Sequence, residues 1–218
     1  MRRFLRDNGL SLVLATLFLV FWAAQSVVGI YVYNNDQQEH GRPPITYLQY
    51  LRTGAFVEAT AENWESEFLQ MFAYVLLTAF LFQRGSAESK SPDPEEESEQ
   101  EKPTPIELQP GPVRRGGWRL KLYEHSLSLA FAALFLVSFV VHGLGGAREY
   151  NEEQTAHGEQ TVSTLGYFAS SQFWFESFQN WQSEFLAVLA MVALSIWLRE
   201  KNSPESKPVD APHSQTGA

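Results

Sequence analysis

The stretch "LSLVLATLFLVFWAAQSVVGIYVY", Leu10 to Tyr33, runs for 24 residues without a charge. A helix rises about 1.5 Å per residue and the hydrocarbon core of a bilayer is about 30 Å thick, so this run is long enough to cross it. Its basic start, "MRRFLR", and the small residues that follow would also suit a secretory signal. The rest of the chain argues against that reading. "SLVLATLFLV" at 11–20 returns as "SLAFAALFLV" at 128–137, in mid-chain, where no signal sequence lies. Both segments are therefore expected to be retained helices.

The return extends far beyond that segment. A shift of 117 residues aligns 10–81 with 127–198 without a gap, with 27 identities in 72 pairs. The chain reads as an internal duplication. Each copy has the form helix, polar loop, helix: "YNNDQQEHG" answers "YNEEQTAHG", and "NWESEFL" answers "NWQSEFL". Four apolar blocks result, Leu10 to Tyr33, Trp64 to Phe82, Leu127 to Ala147 and Trp181 to Leu198. The mean hydropathy of −0.21 hides them, because the remainder is very polar. The expected fold is all-α and integral to the membrane, with four transmembrane helices arranged as two duplicated helical hairpins. An even number of spans per copy makes the repeats parallel.

Residues 1–84 and 117–201 are expected to form the two repeats. The linker between them, 85–116, carries eight acidic residues against two lysines over 85–109, with many Pro and Ser and no aromatic side chain there. Such a composition has no apolar surface to offset its ordering entropy, so a flexible tether is expected. The tail 202–218 has the same character. Basic residues cluster at one side of the spans, at Arg2, Arg3, Arg6, Arg84, Arg114, Arg115, Arg119, Lys121, Arg199 and Lys201. Arg42, Arg52 and Arg148 flank the other. Both termini and the linker should then be cytoplasmic, with the repeated loops outside. In the first of these loops "PPITYLQYLRTG" spaces Ile45, Leu48 and Leu51 for a short interfacial helix, and Val162, Leu165 and Phe168 repeat the spacing.

Three groups of residues are candidates for function. Asn63, Ser66, Glu67 and Gln70 share one helical face, and Asn180, Ser183 and Glu184 repeat it before Ala187 ends it. A charge in a spanning helix costs about 2.5–3.5 kcal/mol at mid-membrane, so this face should point inward. The plainer reading makes Asn63 and Asn180 helix caps, with Trp64 and Trp181 as interfacial anchors. The outer loops repeat Tyr33, Asn34, Gln37 and His40 as Tyr150, Asn151, Gln154 and His157. Two imidazoles with carboxylates nearby are ordinary metal ligands, yet a His followed by Gly in a polar loop reads first as a turn, so no metal is assigned. Gln25 and His142 align within the first and third helices, beside Ser26 and "GLGG" at 143–146, and are read as helix-packing groups. A titrating His142 opposite an acidic residue is the sharper alternative.

No Cys is present, which excludes disulfides and thiolate metal sites. No phosphate loop, nucleophile elbow or zinc-protease helix appears, and no basic aromatic patch suits nucleic acid. No cofactor is expected.

"NWQSEFL", with the upstream "SLSL" helix start and the "HG" loop, resembles a family of uncharacterised bacterial membrane proteins marked by an N-W-Q-S-E-F-L-Q type motif, a domain of unknown function. Residues 180–186 match it, Ala187 departs from its last Gln, and the first copy has Glu65 for the inner Gln while keeping Gln70. The resemblance implies a bacterial inner (plasma) membrane and supplies no mechanism. The expected function is a non-enzymatic membrane structural or interaction component whose partners are lipid and a homo-oligomeric or other membrane-protein partner. The alternative is a small transporter or channel with a proton or cation relay through Glu67 and Glu184. A membrane enzyme ranks third.

Overall fold

The computed structural model describes residues 2–92 and 104–217; the acidic centre of the linker, 93–103, lies outside the described residues. Those residues form nine α-helices and one short 3-10 turn, with no strand among them. The helices are α1 (Arg2–Asp7), α2 (Gly9–Glu39), α3 (Tyr47–Tyr50), α4 (Gly54–Thr78), α5 (Gly111–Arg115), α6 (Gly117–Glu124), α7 (Ser126–Ala156), α8 (Thr164–Phe168) and α9 (Ser171–Leu194). The all-α expectation is met.

Two of them, α2 and α7, are long and apolar enough to cross a membrane. Only 6% of the most apolar stretch of α2 and 17% of that of α7 is buried within the protein. Val13, Phe18, Val20 and Phe21 of α2 and Leu136, Val137 and Val140 of α7 are all exposed.

Both long helices stop in the same way. Gly41, at φ +71°, takes the left-handed conformation that suits glycine. Its N–H reaches the Gln38 carbonyl at 3.0 Å, and the Arg42 N–H reaches that of Gln37 at 2.7 Å, which closes a Schellman motif. Gly158, at φ +72°, repeats this with bonds of 3.2 Å to Thr155 and 2.7 Å, from Glu159, to Gln154. The repeated His-Gly is thus a helix terminus. The short loop helices are shorter than their spacing suggested: α3 has four residues and α8 five. Gln49 accepts the Thr46 N–H at 2.8 Å to start α3, and Ser163 Oγ accepts the Gly166 N–H at 3.0 Å in α8. Leu48 and Leu165 project from the two pieces, 70% and 81% exposed.

The described chain divides into two compact units, Met1–Ala61 with Val140–Phe173, and Glu62–Phe139 with Trp174–Ala218. The core of the first is aromatic and doubled. Tyr33 and Tyr50 have ring centroids 5.7 Å apart, and Tyr50 and Phe56 5.5 Å. Their counterparts 117 residues on, Tyr150, Tyr167 and Phe173, stand at 5.7 and 5.6 Å. Gly29 and Gly146 make room for this, since a Cβ on either would fall 2.1 or 2.4 Å from the hydroxyl of Tyr50 or Tyr167.

In the second unit Trp181 meets Phe135, Trp174 and Phe178 edge to face. The tail, which composition left without a core, turns back on polar contacts instead. Lys207 is buried, and its Nζ donates to the carbonyls of Gly85, His213 (3.0 Å) and Gln215 (2.9 Å). Burial, then the charge of Arg199, lowers the pKa of this amine. Ser86 and Ser195 share a hydrogen bond of 2.8 Å beside it.

Candidate functional site

The C-terminal ends of α2 and α7 hold the repeated loop residues of the first unit. Asn34 closes its loop with two bonds to Ile45, Nδ2 to the carbonyl at 3.0 Å and N–H to Oδ1 at 2.8 Å. Asn151 does the same with Val162 at 2.9 and 2.8 Å. One asparagine per copy therefore satisfies a loop backbone that has no sheet or helix partner. Tyr33 donates to Glu152 Oε2 at 3.2 Å, and Arg42 Nη2 to the Glu152 carbonyl at 3.4 Å. Gln37 is buried, whereas Gln154 is half-buried with its amide 3.5 Å from the Gln160 carbonyl. Tyr150 packs on Tyr167. His40 and His157 lie on the surface, each with Nδ1 on the carbonyl four residues back, at 3.0 and 2.9 Å. A small polar cavity of about 60 Å³ sits among them, lined also by Asp36, Glu149, Glu152 and Glu153. The buried Tyr50 phenol has its pKa raised by burial, with the charge of Glu149 and Tyr47 adding to the effect.

The N-W-x-S-E-F-L segments lie in the second unit, and they lie deep inside their helices. α4 starts at Gly54 and α9 at Ser171, so Asn63 and Asn180 stand nine residues beyond the helix starts and cap nothing. This corrects the capping reading. Ser66 and Ser183 return their hydroxyls to the carbonyls of Asn63 and Asn180 at 2.9 and 2.8 Å, a bond internal to each helix. Glu67 and Asn63 are exposed, Glu184 and Asn180 are half-buried, and Ser183 is exposed, while Ser66 and Gln70 are buried. Gln70 Nε2 donates to the backbone carbonyl of Glu184 at 2.9 Å.

The fully buried carboxylate of this segment is one that the stripe did not include. Glu65, 0% exposed, accepts the Trp181 indole N–H at 2.9 Å. Asn180 Nδ2 bonds Glu62 Oε1 and, at 3.1 Å, the Glu176 carbonyl. The signal for Glu65 was present in the alignment: it is the one charge in the first motif that the second replaces, with Gln182. The buried face of α4 runs through Ala61, Glu65, Ser66 and Gln70, so the polar stripe straddles its edge.

The paired positions Gln25 and His142 part company. Gln25 is exposed, with its amide 3.5 Å from the Ala59 carbonyl, whereas His142 is wholly buried with Phe173 4.8 Å from its ring. A Glu58 carboxylate oxygen lies within 4.8 Å of a His142 ring nitrogen. The glycines after His142 serve close approach, as small residues do between membrane helices. A Cβ on Gly145 would meet the Glu58 backbone N at 2.7 Å, and one on Gly143 would meet the ring of Phe168.

No curated protein and no solved structure matches the chain. Over residues 1–218 it matches, and so belongs to, the family described as a domain of unknown function, DUF6766.

Proposed function

We propose that the protein is a non-enzymatic structural or interaction component of a bacterial inner membrane, crossing it four times as two duplicated helical hairpins. One observation carries this reading: the most apolar stretch of α2 is a helix whose surface is almost wholly uncovered by the rest of the protein. Apolar patches of that extent on a folded chain need a cover, and lipid is the cover that matches a helix apolar all round. The duplicated loop bonds of Asn34 and Asn151, the matching aromatic triads and the matching helix ends support descent from one hairpin. On this reading α4 and α9 are the second spans of the two hairpins. Their polar groups are engaged with one another, as in the Glu65 to Trp181 and Gln70 to Glu184 bonds, which suits a lock between helices better than a conduction path.

The relay alternative and this one separate in reconstituted vesicles. Glu67→Gln with Glu184→Gln should leave the protein in the membrane after an alkaline wash, with proton and cation flux no different from the parent. A flux that the parent supports and the double variant lacks would establish the relay instead.

A further inference from the structure

The turn that follows α4 is built a second time after α9. "SAESK" at 86–90 returns as "SPESK" at 203–207, again 117 residues on. Ser89 Oγ accepts the Gln83 N–H at 2.8 Å, and Ser206 Oγ accepts the Glu200 N–H at 2.9 Å. Ser86 Oγ accepts the Glu88 N–H at 3.1 Å, and Ser203 Oγ accepts the Glu205 N–H at 3.2 Å. Ahead of them Gly85 and Asn202 both take positive φ, +85° and +68°. Serine hydroxyls on nearby backbone close such a turn, and no lysine is needed for it. The two lysines nevertheless part company: Lys90 is exposed, whereas Lys207 is 1% exposed.

Burying an ammonium is costly unless its N–H groups all find acceptors. Lys207 Nζ has three to give, and it meets three carbonyls, those of Gly85, His213 and Gln215. Two of these lie further along the tail and the third in the segment that leaves α4. One side chain therefore holds both pieces of chain. The tail is fastened a second time nearby, where the Gly217 N–H donates to the Ser86 carbonyl and the Gly85 N–H to Thr216 Oγ1, each at 2.9 Å. At the end of α9, Ser195 Oγ accepts the Ala87 N–H at 3.2 Å. Gly85 is the crossing point, since a Cβ there would fall 2.7 Å from the His213 carbonyl oxygen.

We propose that residues 203–217 form a strap that fastens the segment after α4 to the end of α9, with the Lys207 ammonium as its pin. The seating is polar throughout, so losing the pin leaves three carbonyls without a donor and frees the strap as a unit. That the strap joins two copies of one hairpin rests on the reading proposed above; the strap itself does not need the membrane.

The test uses the full chain, folded in detergent. A brief pulse of an amine-reactive ester, read by peptide mass, should acylate Lys207 on the order of tenfold or more slowly than the exposed Lys201. Lys207→Met keeps the length of the side chain and removes its donors. Hydrogen exchange at the Gly85 and Gly217 amides should be faster in that variant, while Lys201→Met leaves it as in the parent. Acylation of Lys207 as fast as that of Lys201 overturns the strap. Unchanged exchange in Lys207→Met, or equal acceleration in Lys201→Met, overturns the role of the pin.

Discussion

Glu65 shows how the chemistry of one residue depends on its phase around a helix. It lies two positions before Glu67, about 200° away around the helix, and that difference separates a buried acceptor from an exposed charge. The stripe Asn63, Ser66, Glu67, Gln70 was legible in the sequence as a stripe. Its rotation was not, because packing partners set it and the apolar residues surround α4 on every side. Glu65→Gln should be tolerated, since an amide oxygen still accepts the Trp181 N–H. Glu65→Leu leaves that N–H unpaired and should cost about 1–3 kcal/mol in thermal unfolding in detergent. Equal effects of the two changes would remove the indole bond from the account. Tyr50 gives a second check at this scale. Its pKa is raised in the folded chain, so the unfolded chain ionises first. Its contribution is whole below about pH 10, the ordinary phenol value, and is lost as pH rises through the folded value. Tyr50→Phe should therefore flatten the alkaline fall in stability that sets in above about pH 10, the ordinary phenol value.

Among the elements, the start of α4 and the middle of α7 approach closely because glycine stands on both sides. A Cβ on Gly54 would meet the Glu149 backbone N at 2.5 Å, and one on Gly145 the Glu58 backbone N at 2.7 Å. Backbone cannot swing aside as a side chain can, so Gly145→Ala should destabilise by about 1–3 kcal/mol through overpacking. Gly9→Ala has nothing within 4 Å and serves as the control. A loss shared by both variants would point to a general helix effect instead. "GLGG" announced this contact in the sequence. The long polar opening of α4, "GAFVEATAEN", was missed, because a block defined by apolarity starts at Trp64 while backbone bonds carry the helix back to Gly54. The tail was likewise hidden. Its turns rest on the Ser206 hydroxyl, which accepts the Glu200 N–H, and on the Lys207 ammonium, which donates to three carbonyls, and composition cannot distinguish such side chains from solvated groups.

For the whole molecule, the 117-residue offset was the most informative signal, and it reaches down to single bonds: the asparagine clasps, the glycine termini and the aromatic triads each occur twice. Tyr50, Phe56, Tyr167 and Phe173 stood in that alignment as identities. Only the folded chain marks them as core, because isolated aromatics in polar loops look the same whether buried or exposed. The claim that organises everything else is that each copy is a hairpin crossing the membrane twice, with the loops of Asn34 and Asn151 outside. The chain has no Cys, so single cysteines introduced at Ser91 and Thr155 report their side without background. An impermeant maleimide applied to intact cells should label position 155 and spare position 91 until the membrane is opened. Labelling of 91 with protection of 155 in intact cells would contradict the topology, and equal labelling of both would contradict the crossing itself.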